Sequence, residues 1–149
     1  MNFELLELRM NPAIKLSLLA SGLFLFTGLW LGVWKYHKIM RSTRNVAPYY
    51  VDIAHRAALL YAFAALVIAK LLEFNPYPFG IQLVASGTVF FFFAVATATY
   101  VFHGIREKTD NQFANRNVLT TWGMYLLIAG EIGGFAVILW GFISTAILP

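Results

Sequence analysis

The chain has 149 residues and a formal net charge of +4, with 60% of its residues hydrophobic and only 12% charged. A soluble domain carries charge on roughly a quarter of its residues, so this composition excludes an ordinary water-soluble globule and indicates that lipid surrounds most of the chain. The positive charge does not indicate nucleic acid as a partner, because the basic residues cluster beside apolar segments, where membrane topology explains them. The chain has no cysteine, which excludes disulfides, thiolate metal sites and cysteine catalysis.

The first predicted element is a short amphipathic helix at residues 2–10, which Pro12 separates from the apolar segments that follow. Glu4 and Glu7 stand where a secretory signal peptide would carry basic residues, and no small-residue cleavage site follows. We therefore expect this segment to lie in the membrane interface and not to be a cleavable signal.

Four apolar stretches follow, each long enough to span a membrane as a helix. A spanning helix needs about 20 mainly apolar residues, and the four stretches are residues 14–34, 53–74, 81–102 and 118–148. Strands are not expected, because the stretches lack period-two alternation and an open sheet cannot satisfy its backbone hydrogen bonds in lipid. The sequence predicts an all-α fold, a single-domain integral membrane four-helix bundle over residues 1–149.

The connections between these spans predict their orientation. Residues 73–80 form a short turn with two prolines, whereas residues 36–51 and 103–117 are longer and polar. Eight of the eleven basic residues lie on the side of the two polar loops, which by the positive-inside rule places these loops in the cytoplasm and both termini outside. We expect the protein in a bacterial inner membrane. The eight residues are Lys35, Lys38, Arg41, Arg44, Arg56, Arg106, Lys108 and Arg116.

All three histidines are predicted to lie near the cytoplasmic boundary of the membrane. His37 is expected to close the first span, His55 to open the second and His103 to close the third. Imidazole is the commonest metal ligand and a common haem-iron ligand, so this shared level is a candidate metal or cofactor site. The alternative is that polar side chains simply belong at helix ends.

His55 has the most informative surroundings of the three. Asp52 lies three residues before it and shares its helix face, so the carboxylate could fix the tautomer of the imidazole. Two alternatives remain open for Asp52, namely an N-cap and an ion pair with Arg56 four residues later. On the third span, Tyr100 shares a face with His103 in the same way.

Glu131 is the one charge within the fourth span, about 13 residues from its start and hence roughly 20 Å deep. An intramembrane carboxylate is a functional candidate by default. It could pair with Lys70, stay protonated, or form a buried hydrogen bond that locks the helix. Gly123, Gly130 and Gly134 form a stripe beside it, which favours close packing either within the bundle or between protomers.

The aromatic run at residues 90–93 lies in the third span. We expect these four phenylalanines to face lipid and fill the core. The alternative is that they wall a hydrophobic pocket.

The segment from Asp52 to Leu60, DIAHRAALL, resembles the start of the second helix of styrene oxide isomerases, which are small four-helix membrane enzymes. The resemblance implies haem b bound through His55 at the subunit interfaces of a trimer. In that family the iron acts as a Lewis acid on an epoxide oxygen, the ring opens, and a hydride shift gives an aldehyde. The resemblance also implies that Tyr100 helps to shape the site. The loop from Thr109 to Phe113 is similar to the family as well.

Two positions depart from the family pattern. The family has an asparagine six residues after the histidine, where this chain has Tyr61, and an acid in the third helix, where this chain has none before Tyr100. The haem-binding expectation depends less on these positions than the isomerase expectation does.

The leading hypothesis is a homo-oligomeric haem b protein that rearranges a small hydrophobic epoxide arriving from the lipid. His55 is the expected iron ligand, with His103 as a second candidate, and Asp52 is expected to hold the imidazole. The candidate catalytic residues are Tyr100, Tyr61 and Glu131. The alternatives are a non-enzymatic accessory subunit of a larger membrane complex and a small transporter in which Glu131 carries a proton.

Overall fold

The computed structural model describes residues 11–114 and 117–148, and these residues form four helices joined by short connections. The helices are α1 (Pro12–Arg41), α2 (Tyr49–Leu72), α3 (Phe79–Arg106) and α4 (Val118–Ala146). Each is long and apolar enough to cross a membrane, which fits an integral membrane protein. The predicted all-α four-helix bundle is confirmed. The predicted interfacial helix at residues 2–10 lies outside the described residues.

The helices extend beyond the predicted spans at the end of the bundle that holds the two polar connections, here called the loop end. The first helix continues to Arg41, and the second begins at Tyr49 instead of residue 53. Hydropathy sets the apolar stretch, but a helix can continue into the interface, where its polar side chains are solvated. As a result all three histidines lie inside helices, and His55 lies more than a full turn inside α2.

Side chains and prolines define where two of the helices begin. The side chain of Asn11 accepts a hydrogen bond from the backbone N–H of Ala13 at 2.9 Å, and Pro12 occupies the first turn, where its missing N–H costs nothing. At the start of α4, Asn117 and Thr120 form a reciprocal capping box. Both starts are therefore encoded locally.

The helices pack unevenly. The most extensive contact joins α1 and α2, while α4 packs on α3 and meets α2 over only a short stretch. Of the residues in the apolar 18-residue segment of each helix, 33% are buried in α2 and in α3, but only 11% are buried in α4. The main core therefore lies between α1, α2 and α3, with α4 contributing at its far end; its largest buried members include Ile68, Leu72, Val89, Phe90 and Ile138.

A polar network ties the short connection between α2 and α3 to its neighbours. The side-chain N–H₂ of Gln82 donates to the carbonyl oxygens of Asn75, at 3.0 Å, and Tyr77, at 2.6 Å. The side chain of Asn75 in turn donates to the carbonyl of Ile138 at 3.0 Å. These hydrogen bonds pair backbone carbonyl groups of the turn for which lipid offers no donor. The bond to Ile138 also fixes this end of α4.

The aromatic run serves two roles, as the sequence suggested. Phe90 is buried in the core, whereas Phe91 is 62% exposed on the outer face. Phe93 stacks on the ring of Tyr61, with centroids 4.0 Å apart. Phe93 also lines a cleft beside α4, so the pocket-wall alternative applies to this member of the run.

Candidate functional site

The imidazole of His55 is held by the backbone of α1. Its Nδ1 atom lies 2.8 Å from the carbonyl oxygen of Gly28. A carbonyl oxygen only accepts hydrogen bonds, so Nδ1 must carry the proton. One turn along α1, Gly32 leaves the space that the ring occupies, because a Cβ atom there would lie 3.0 Å from Cε1 of His55. The ring orientation is therefore set by two glycines of a neighbouring helix.

The second nitrogen of this ring, Nε2, has no hydrogen-bond partner in the part of the chain that the structure describes. This atom is not fully buried, so it reaches the surface of the helix pair formed by α1 and α2. In the neutral imidazole, a protonated Nδ1 leaves a lone pair on Nε2. This is the arrangement of ligating histidines, whose other ring N–H donates to a carbonyl or a carboxylate.

Asp52 does not hold the ring, contrary to one of the sequence-based interpretations. Its carboxylate forms ion pairs with Lys35 at 2.6 Å and with Arg56 at 2.9 Å. It is not the N-cap either, since Pro48 occupies that position. The expected ion pair with Arg56 is confirmed, and the role of orienting His55 belongs to the carbonyl of Gly28. The sequence could not show this because Lys35 and Gly28 lie on a different helix.

The other two histidines lie apart from His55. His37 packs edge-on against Tyr36, and the ring of His103 lies 5.0 Å from that of Tyr50. Tyr50 and His55 are five residues apart on α2 and so point to different faces, which places His103 away from His55 within one chain. Among the described residues, no group of three or more histidines and acids could hold a metal ion. The shared level of the histidines does not bring them together.

Tyr50 anchors the loop from Thr109 to Phe113. Its hydroxyl accepts a hydrogen bond from the backbone N–H of Gln112 at 2.6 Å, and its ring stacks on that of Tyr100. The loop is also shaped locally, because the hydroxyl of Thr109 accepts from the N–H of Asn111 at 3.0 Å. The loop therefore has a structural explanation that the sequence did not reveal.

The three candidate catalytic residues come from three different helices, Tyr61 from α2, Tyr100 from α3 and Glu131 from α4. Tyr61 is fixed by stacking on Phe93 and by edge contact with Phe24, whose centroid is 5.9 Å away. Phe93 also lines the cleft that holds Glu131, so it links Tyr61 to that cleft.

Glu131 lies in a cleft of about 640 Å³ between α2 and α4, with α3 behind it. Its Oε1 atom is buried and has no hydrogen-bond partner among the described residues. The proposed pair with Lys70 is wrong, because Lys70 is 67% exposed and pairs with Glu73 at 2.6 Å. Among the described residues, no side chain forms a hydrogen bond or an ion pair with Glu131.

Two glycines of α4, Gly130 and Gly134, pack against α3. A Cβ atom on Gly134 would lie 2.7 Å from the carbonyl oxygen of Ala85, and one on Gly130 would lie 2.1 Å from the ring of Phe92. This decides the open alternative for these two glycines in favour of the α3–α4 contact. The sequence reading missed the equivalent pair Gly28 and Gly32 on α1, although the same four-residue spacing marks it.

Comparisons with protein-family models, with curated proteins and with solved structures found no match to this chain.

Proposed function

We propose that this chain is a membrane-embedded haem b protein with His55 as the axial iron ligand. The observation that carries the proposal is the 2.8 Å contact between Nδ1 of His55 and the carbonyl of Gly28, which leaves Nε2 free at the surface of the helix pair. A fixed tautomer with an accessible Nε2 is what an axial histidine requires.

Two cationic side chains lie near His55. Arg56, with a side chain 63% exposed, adjoins the histidine, and Lys35 lies one turn from Gly32 on α1. Both pair with Asp52 within the chain, and in this proposal they would also face the propionates of a haem. Because Nε2 is accessible on one chain, we infer that a second copy of the chain covers the macrocycle in a homo-oligomer.

The chemistry we propose is the rearrangement of a small hydrophobic epoxide to an aldehyde. Haem b, held by His55, would supply a Lewis-acidic iron for the ring opening. The phenols of Tyr61 and Tyr100 would orient the substrate and donate hydrogen bonds to its oxygen. Tyr61 is held by stacking on Phe93 and by its edge contact with Phe24 of α1, and Tyr100 is held by stacking on Tyr50.

The test of haem binding is the visible absorption spectrum of the detergent-purified protein, expressed in cells supplied with iron. We expect a Soret band that His55→Ala abolishes and that the control variants His37→Ala and His103→Ala retain. A preparation that stays colourless after haemin is added, or a band that survives His55→Ala, would overturn the assignment.

The test of the reaction class uses the same preparation. With one protein ligand, added azide or imidazole should shift the Soret band, and an aryl epoxide should be converted to its aldehyde. A spectrum with two histidine ligands that is unchanged by azide would leave no position for an epoxide oxygen and would indicate an electron carrier.

A further inference from the structure

The cleft between α2 and α4 is a second candidate ligand site. It lies on the side of α2 opposite His55. It exists because α4 packs on α3 and touches α2 only briefly. Its volume of about 640 Å³ lies within the range of small-molecule sites. Phe63 and Ile132, at its mouth, are 67% and 66% exposed, so the cleft opens sideways toward the lipid.

The cleft has a single polar anchor. Among the described residues that line it, Glu131 is the one polar side chain, and the others include Val67, Phe93 and Phe135. The Oε1 atom of Glu131 is buried and lacks a partner among the described residues, and Lys70 is paired with Glu73. A carboxyl group without a hydrogen-bond partner is unfavourable in an apolar setting. A ligand that forms a hydrogen bond with this carboxyl group would therefore gain both that bond and apolar burial.

We propose that this cleft binds a lipophilic alcohol, with its apolar body against Phe63, Val67 and Phe135 and its hydroxyl hydrogen-bonded to the carboxyl group of Glu131. A neutral hydroxyl suits the site better than an ammonium group, because a charge costs far more to bring from the membrane surface into an apolar cleft. The cleft residues of α2 lie on the side of that helix opposite His55, so the site is distinct from the proposed haem site and stands without it.

The experiment is photoaffinity labelling of the full chain in lipid nanodiscs. The probe is 6-phenylhexan-1-ol carrying a diazirine on its alkyl chain, and labelled peptides are located by mass spectrometry. We expect labels on α2 near Val67 and on α4 near Phe135. Excess 6-phenylhexan-1-ol should compete, whereas the matched hydrocarbon hexylbenzene should need a roughly fivefold higher concentration, the equivalent of one hydrogen bond.

Variants separate the anchor from the cleft itself. Glu131→Leu removes the acceptor and should reduce labelling roughly fivefold, whereas Glu131→Gln keeps an acceptor oxygen and should retain most of it. Val67→Trp should fill the cleft and abolish labelling. Its control, Leu60→Trp, lies on the exposed face of the same helix and should leave labelling unchanged.

Three results would overturn the proposal. Equal competition by hexylbenzene would mean that no hydroxyl is recognised. Unchanged labelling of Glu131→Leu would remove the anchor. Stronger competition by 6-phenylhexylamine than by the alcohol would replace the neutral contact with an ion pair. None of these outcomes depends on a Soret band, so the proposal can fail while haem binding holds, and the reverse.

Discussion

At the scale of single residues, two polar side chains within the apolar helices, His55 and Glu131, are incompletely paired. Each presents one polar atom with no partner among the described residues, Nε2 of His55 and Oε1 of Glu131. Asp52, Lys38 and Lys70, in contrast, all form ion pairs. An unpaired polar atom in a membrane protein costs free energy, so its presence is best explained by something outside the chain that it binds.

Glu131→Leu should stabilise the protein. The substitution removes a buried acceptor that has no donor, which is worth about 1–3 kcal/mol, and replaces it with an apolar side chain in an apolar cleft. Thermal unfolding in detergent, without added ligand, measures the change, with Glu131→Gln as a control that keeps a buried polar group. A lower midpoint for the leucine variant would mean that Glu131 has a structural partner.

At the scale of helices, the glycines decide how closely two pairs can approach. On α1, Gly28 supplies the carbonyl that holds His55, and a Cβ atom on it would come within 2.6 Å of the side chain of Leu59. On α4, Gly134 lies against the backbone of α3 at Ala85. The contact of Gly28 positions His55, the proposed iron ligand. The contact of Gly134 fixes the helix that carries Glu131.

Gly32→Ala should weaken haem binding through the position of the His55 ring. The added Cβ atom would lie 3.0 Å from Cε1 and 3.3 Å from Nδ1, so the ring must shift and the bond to Gly28 lengthen. Loss of that bond corresponds to about 1 kcal/mol, or roughly fivefold in affinity. Transfer of haem to apomyoglobin gives the affinity. Gly22→Ala, with open space around the new atom, should leave it unchanged.

Gly134→Ala should destabilise the α3–α4 contact by about 1–3 kcal/mol. The new Cβ atom would lie 2.7 Å from a backbone oxygen, which cannot move aside as a side chain can. Thermal unfolding of this variant is compared with that of Gly133→Ala, where nothing lies within 4 Å. Equal midpoints for the two variants would contradict the packing described for α4.

At the scale of the whole molecule, the charges are distributed asymmetrically along the bundle axis. Of the nine basic residues that the structure describes, seven lie at the loop end, and the other two are Lys15 and Lys70. Several are engaged there, including Lys35 with Asp52 and Lys38 with Glu107. The positive-inside rule counts Lys and Arg and is little affected by acids, so these pairs do not weaken the predicted orientation.

The orientation is tested by reporters fused after Pro149. With both termini outside, a fused alkaline phosphatase should be active and a fused green fluorescent protein should be dark. The matched fusion in the polar loop after Arg44 should give the opposite pattern. Fluorescence from the C-terminal fusion would reverse the orientation and place the proposed haem site at the outer side of the membrane.

Composition and hydropathy alone determined that this chain forms four apolar helices and carries most of its basic residues at one end. Lipid offers no partner to backbone amides, so apolar stretches of this length have few alternatives to the helix. The same reasoning selected His55 and Glu131, because polar residues in such stretches are few and conspicuous.

Tertiary structure alone decided what those residues contact. His55 contacts the backbone of Gly28, and Asp52 forms an ion pair with Lys35. Glu131 lines a cleft and does not pair with Lys70. Each of these outcomes depends on how one helix is rotated and how closely it approaches another. The spacing of residues along a single helix specifies its faces, but not which neighbour each face meets.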